Sequence, residues 1–255
     1  MQCVILAGGL GTRMRPLTET CPKTLLPACG RPFAWHQLHW LAAQGITQIV
    51  YCIGHHGEMI RDYWASETSP VDSIVYVDEG RELRGTGGAL KLARDSGALA
   101  ESFFVTYGDS FLPVQFPPIW KAFRASGMPA LMTVLHNRGH WDRSNVIYQG
   151  GRVALYDKQG DPSMQFIDYG LSAMHRELLD GITADVFELG TLFHELSLRG
   201  QLAGFEVDQR FYEIGSPAGL HDLEQYLTET ETCGARTHAC RVPTHGDTIP
   251  HRSTT

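Results

Sequence analysis

The 255-residue chain lacks several things that would have fixed its class at once. No apolar run reaches the roughly 20 residues that span a bilayer, which excludes a membrane-crossing helix. Lysine and arginine total 21 against 28 aspartates and glutamates, a net charge of −7, and no basic block stands out. That balance argues against nucleic acid as a partner. The six cysteines, Cys3, Cys21, Cys29, Cys52, Cys233 and Cys240, form no C-x-x-C pair. They predict free thiols in a reduced compartment. Met1-Gln2-Cys3 leads straight into an apolar run, so no cleaved leader and a cytoplasmic location are expected.

Two common phosphate loops are also missing. A P-loop needs a second glycine at the sixth place, followed by lysine, but the sixth place from Gly8 is Arg13. A dinucleotide fingerprint from Gly9 would close on glycine, but meets Met14.

What is present begins with Val4-Ile5-Leu6-Ala7, which reads as a buried strand. It breaks into Gly8-Gly9-Leu10-Gly11-Thr12-Arg13, and Pro22-Lys23 follows. Glycines let backbone N–H groups approach a ligand closely, and the cations add charge for a polyphosphate. A plain glycine turn would leave Arg13 and Lys23 together unexplained.

Further along, apolar runs alternate with helical periodicity. Strands are expected over about 3–6, 46–53, 73–77, 103–107 and 130–135. Helices follow Pro32, surround Met59 to Trp64, open at Gly85–Gly88 and at Pro117-Pro118. Such alternation predicts an α/β fold with a mostly parallel central sheet and helices on both faces. After residue 135 the pattern changes to a hairpin over 145–156, a strand over 166–174 and a helical stretch over 186–198. A last strand over 202–207 precedes a helix with Leu220, Leu223 and Leu227. One domain is expected over 1–228, with a nucleotide-binding half (1–135) and a small β-rich sugar-binding half (136–228). Residues 229–255 are polar and read as a disordered tail. Its Cys233, His238, Cys240, His245 and His251 fit no usual zinc spacing. The five tryptophans read as packing.

In open α/β sheets, ligands sit beyond the carboxyl ends of the strands. The Gly8–Arg13 loop, Glu79, the Gly85–Gly88 turn and Asp109 all fall there.

The ordered series G-G-x-G-T-R, P-K, G-T-G-G and G-D resembles the sugar-1-phosphate nucleotidyltransferases, over roughly residues 2–228. The resemblance implies a Rossmann-like nucleotidyltransferase fold. It also implies Mg²⁺-dependent transfer of a nucleoside monophosphate from a nucleoside triphosphate to a sugar 1-phosphate, with pyrophosphate released and a nucleotide sugar made. Leu6, Ala7, Gly8, Gly9, Gly11, Thr12 and Arg13 would hold the nucleotide, and Glu79, Gly85, Thr86 and Gly87 would face its base. Arg13, Lys23 and Asp109 would carry catalysis. Asp109 would hold the metal, joined by Glu213 where the family usually has aspartate. Lys158, in Tyr-Asp-Lys-Gln without the family's proline, would hold the sugar phosphate. Asn145, Asp168 and Gly170 would contact the sugar.

Gly-Thr-Gly-Gly and Glu-Ile-Gly-Ser-Pro look most like small heptose- or mannose-1-phosphate guanylyltransferases, so GTP is the favoured donor. N-acetylmuramate-1-phosphate uridylyltransferases are similar too. Uridylyl, thymidylyl or cytidylyl transfer stays open, as do a non-catalytic regulatory relative and the assembly into homo-oligomers. A nicotinamide-dependent oxidoreductase is opposed by the broken fingerprint at Met14.

Overall fold

The computed structural model describes residues 1–80, 82–141 and 143–239. Nine strands form its main sheet: β1 (Gln2–Ala7), β2 (Gln48–Ile53), β3 (Ser73–Asp78), β4 (Ser102–Tyr107), β5 (Ala130–His136), β6 (Val146–Gln149), β7 (Arg152–Tyr156), β8 (Phe166–His175) and β9 (Leu202–Val207). Six helices accompany them: α1 (Phe33–Ala43), α2 (Gly57–Ser66), α3 (Gly85–Asp95), α4 (Phe116–Ser126), α5 (Leu189–Leu198) and α6 (Pro217–Ala239).

Alternation of apolar side chains along β1 sets the layers. Cys3 and Ile5 join a core with α1, α2 and α4, whose Leu38, Ile60 and Ile119 are fully buried. Val4 and Leu6 face the other side, against Leu90 of α3 and Phe193 of α5. Period-two strands carrying apolar residues on both faces need helices on both faces, and that is the arrangement found.

Strand order is β3-β2-β1-β4-β8-β5-β9-β7-β6. β3, β2, β1 and β4 are mutually parallel, as are β5 and β9. β8 runs antiparallel to both β4 and β5, and β7 antiparallel to β9 and β6, so the sheet is mixed. The expected boundary at residue 135 is therefore no spatial division. β8, from the later half, lies between β4 and β5 and completes the sheet instead of capping it.

Two other elements differ from their sequence readings. The helical stretch expected from Val186 starts at Leu189, because Glu188 is extended and Phe187 bonds elsewhere: its N–H donates to Arg84 O, and its carbonyl accepts from Gly87 and Gly88. The last helix continues to Ala239, past the expected start of a disordered tail at 229. Extending a formed helix needs no new nucleus, so weak apolar content does not end it. Residues 240–255 lie outside the described residues, so the expectation for that part of the tail is not addressed.

A third apolar cluster positions the site. Short strands Ser110–Phe111 and Tyr212–Glu213 pair antiparallel, with Glu213 opposite Ser110. Phe111 and Ile214 pack with Phe33, Leu223 and Leu227, so α6 clamps the late ribbon beneath Asp109. Leu223 is fully buried. Leu223→Ala should lower unfolding free energy by about 2–5 kcal/mol, measured by urea denaturation. A loss under about 1 kcal/mol would mean that α6 does not hold this ribbon.

Candidate active site

Four parallel strands end level with one another. Ala7 pairs with Ile53, Ile53 with Asp78, and Leu6 with Tyr107. The ladder runs one residue further on both sides: Glu79 N–H donates to Ile53 O at 2.8 Å and Gly108 N–H to Leu6 O at 2.9 Å. The chain therefore delivers Gly8, Glu79 and Asp109 to one edge. A cavity of about 470 Å³ opens there, walled by the glycine loop, Lys23, Glu79, the start of α3, Tyr107 to Asp109, and Glu188.

Glycine is required on both sides of this edge. A Cβ on Gly8 would lie 2.4 Å from Glu79 Oε1, and one on Gly108 would lie 2.8 Å from Ala7 Cβ. At Gly11 the backbone turns left-handed, with φ 61°, and its carbonyl accepts from Thr18 Oγ1 at 2.8 Å. That turn starts the 3₁₀ segment Thr12–Met14, which carries Arg13. The Arg13 guanidinium lies by Gly215, where a Cβ would be 3.3 Å from Nη2. Arg13 and the Glu213 ribbon thus meet, although 200 positions separate their stretches of sequence.

Lys23 Nζ donates to Asp109 Oδ2 at 2.7 Å, with both side chains mostly buried. Thr24 Oγ1 donates to Gly108 O at 2.8 Å and locks the same two loops. Gln37 of α1 adds a third tie, donating to Tyr107 O and Ser110 O, both at 2.8 Å. Asp109 Oδ1 is approached by Ser110 Oγ at 3.4 Å.

Burial raises the Glu79 carboxyl above the usual range, and the Arg84 N–H, 2.9 Å from Oε2, pulls it partly back. Gly85 and Thr86 line the cavity. Gly87 does not: its N–H is spent on Phe187 O, and a Cβ on it would strike the Phe187 ring at 2.2 Å. Its lack of a side chain serves close packing against Phe187.

The four residues expected at the sugar form a second group beside the cavity. Asn145 Oδ1 accepts from Asp168 N at 2.9 Å, and Asn145 O from Asp157 N at 2.9 Å, so Asn145 clasps neighbouring strands. Asp168 Oδ1 accepts from Gly170 N at 3.0 Å, and Gly170 has φ 91°. Lys158 Nζ lies 3.7 Å from Glu188 Oε2. The same oxygen accepts from Thr86 Oγ1 at 2.8 Å, and Thr86 Oγ1 accepts from Leu189 N.

Sequence reading missed Glu188, Tyr107 and Gln37. The single available signal for Glu188 was a carboxylate at a helix start, where one is common for structural reasons. Tyr107 and Gln37 read simply as strand and helix residues.

Burial pushes the Asp168 carboxyl up from its ordinary 3.8 to about 6, with the Gly170 N–H and the Lys158 charge opposing. A folded-state value above the unfolded one means that the native chain holds an extra proton between about pH 4 and 6. Stability from this group is present below pH 4 and is lost as pH rises through 6. Asp168→Asn should remove that slope, leaving a difference from wild type that changes by on the order of 2 kcal/mol across the window. Thermal melts at pH 4, 5, 6 and 7 check this; parallel curves for the two proteins would contradict it.

Relatives share this architecture. The chain is 27% identical to a mannose-1-phosphate guanyltransferase of Neurospora crassa over 223 residues, 85% of this chain but 61% of that one. It therefore spans less than two thirds of that relative. It is 26% identical to a glucose-1-phosphate cytidylyltransferase of Salmonella typhi, covering 81% of this chain and 88% of the relative. Among solved structures, HddC from Yersinia pseudotuberculosis, also solved complexed with GMP-PN, superposes with a TM-score of 0.73. That match has 22% identity and covers 89% of this chain and 99% of HddC, a likeness of fold. A family model described as nucleotidyl transferase matches residues 2–142, more than half of the sequence. With the glycine loop, Lys23 and Asp109 all inside that match, the chain belongs to the nucleotidyl transferase family.

Proposed function

We propose that the chain transfers a nucleoside monophosphate from a nucleoside triphosphate to a sugar 1-phosphate. A phosphate oxygen of the sugar 1-phosphate attacks the α-phosphorus, the bond from that phosphorus to the β-phosphate oxygen breaks, and pyrophosphate leaves. The observation that carries this reading is the Lys23–Asp109 pair, 2.7 Å long, set opposite a glycine loop in one cavity. No protein nucleophile is needed, so positioning and charge neutralisation are the whole task.

Backbone N–H groups of Gly8, Gly9, Gly11 and Thr12, at the end of Leu6-Ala7, hold the triphosphate in this reading, and Arg13 guards the leaving pyrophosphate. Lys23 neutralises charge between the α-phosphate and its attacker. Asp109, with Glu213 across the ribbon, would hold Mg²⁺. Their oxygens suit a hard cation that uses one or two carboxylates and completes its shell with phosphates and water. Among the described residues no group of three or more His, Cys, Asp or Glu is placed to hold a metal, so substrate oxygens would be needed. When bound, Mg²⁺ supplies further charge neutralisation at the phosphates.

GTP is the favoured donor. Glu79 is an acceptor when ionised, and guanine offers adjacent N–H donors on one edge, whereas cytosine and uracil do not. Gly85 and Thr86 border the same space. Lys158 takes the sugar phosphate, with Asn145, Asp168 and Gly170 around a heptose or mannose ring. The likeness to a cytidylyltransferase favours cytidylyl transfer as the second reading. A cytoplasmic setting fits the free thiols Cys3, Cys21, Cys29 and Cys52. No helix among the described residues is long and apolar enough to cross a membrane.

The test is pyrophosphate release across four nucleoside triphosphates and a panel of sugar 1-phosphates with Mg²⁺. GTP with a mannose- or heptose-type sugar should react fastest. Lys23→Ala and Asp109→Ala should each cut turnover by about a thousandfold with the fold intact. Wild-type turnover in either variant would sink the role assignment.

A further inference from the structure

A lysine carries its charge on a flexible four-carbon stem, so an exposed lysine that serves a ligand has to be steered. Lys158 is steered from below. Its backbone sits in a turn after β7, where Asp157 O accepts from Gly160 N at 2.9 Å and Asp157 Oδ1 from Gln159 N at 2.8 Å. The end of β7 is fastened to α5. Tyr156 N donates to Ser197 Oγ at 3.1 Å, and the His194 ring N–H donates to Tyr156 O. Turn and helix therefore keep one spacing.

The lysine stem crosses the first turn of α5 at Gly190. A Cβ there would lie 2.6 Å from Lys158 Cε, and 3.3 Å from both Lys158 Nζ and the Tyr156 hydroxyl. Gly190 is buried, although the Lys158 side chain is 56% exposed. Past the glycine, Nζ stands 3.7 Å from Glu188 Oε2, and Glu188 lines the cavity. The backbone does not ask for glycine at 190. It is helical there, outside the left-handed region, and glycine weakens a helix relative to alanine. What glycine supplies is room for the stem. The obstructed atom is near the end of a flexible chain, unlike the ring of Phe187 above Gly87. A methyl group at 190 would displace the lysine and spare the fold.

We propose that Gly190 is a positioning residue: the bare first turn of α5 sets where the Lys158 ammonium meets the phosphate of the sugar 1-phosphate. This rests on the nucleotidyl-transfer reading, in which Lys158 takes that phosphate, and adds the residue through which Lys158 is aimed.

Gly190→Ala tests it, with the triphosphate and sugar 1-phosphate that the wild type uses fastest. The variant should melt at or above the wild-type temperature. Its KM for the sugar 1-phosphate should rise by on the order of tenfold, while KM for the triphosphate stays within about twofold. Lys158→Ala should raise the same sugar KM. The double variant should be no worse than Lys158→Ala alone, because no ammonium is left to misplace. A wild-type sugar KM in Gly190→Ala overturns the proposal. So does a lower melting temperature with both KM values raised, which marks a structural glycine, or a further rise in the double variant. A wild-type sugar KM in Lys158→Ala removes the role of Lys158, and that of Gly190 with it. No pyrophosphate release by the wild type with any pair overturns the transfer reading itself.

Discussion

Opposite charges 2.7 Å apart, Lys23 and Asp109, set the geometry on which the rest of this site depends. A mostly buried ion pair gains little stability by itself, since taking both charges from water offsets much of their attraction. Its value lies in placement. Lys23 sits on a loop after β1 and Asp109 at the end of β4, so the pair joins neighbouring parallel strands across the cavity floor. Thr24 and Gln37 fasten the same junction with neutral hydrogen bonds, which keep the loops in place whatever happens to the charges.

Much of this junction was legible in the sequence. Short apolar runs broken by glycine identified β1 and β4 and put the Gly8 loop and Asp109 at carboxyl ends. Arg13, Lys23 and Asp109 had fixed places in an ordered motif, so their types and spacing carried information. Glu188 did not, because its meaning comes from Thr86, 102 residues away. Gly87 is ambiguous for a related reason. A glycine that admits a ligand and a glycine that admits Phe187 look the same in a sequence. The tail misled differently: low apolar content predicted disorder at 229, but the helix packed through Leu223 and Leu227 extends to Ala239.

Phe187 explains why the two sides of the cavity are not independent. Its carbonyl binds the N–H groups of Gly87 and Gly88, and its own N–H binds Arg84. The segment before α5 is thus laced to the start of α3. Thr86 and Lys158 then approach one oxygen of Glu188.

The seat of β8 between β4 and β5 has a consequence for how such a protein can diversify. A crossover of genes at the change from parallel to antiparallel pattern would exchange strands from the middle of a sheet, leaving donor and acceptor ladders to match by chance. Swapped halves would therefore be poor raw material. Segments beyond the strand ends, which carry Glu79, Thr86, Lys158 and Glu188, can vary with every ladder intact, so change is accommodated there by single replacements instead of by shuffled modules.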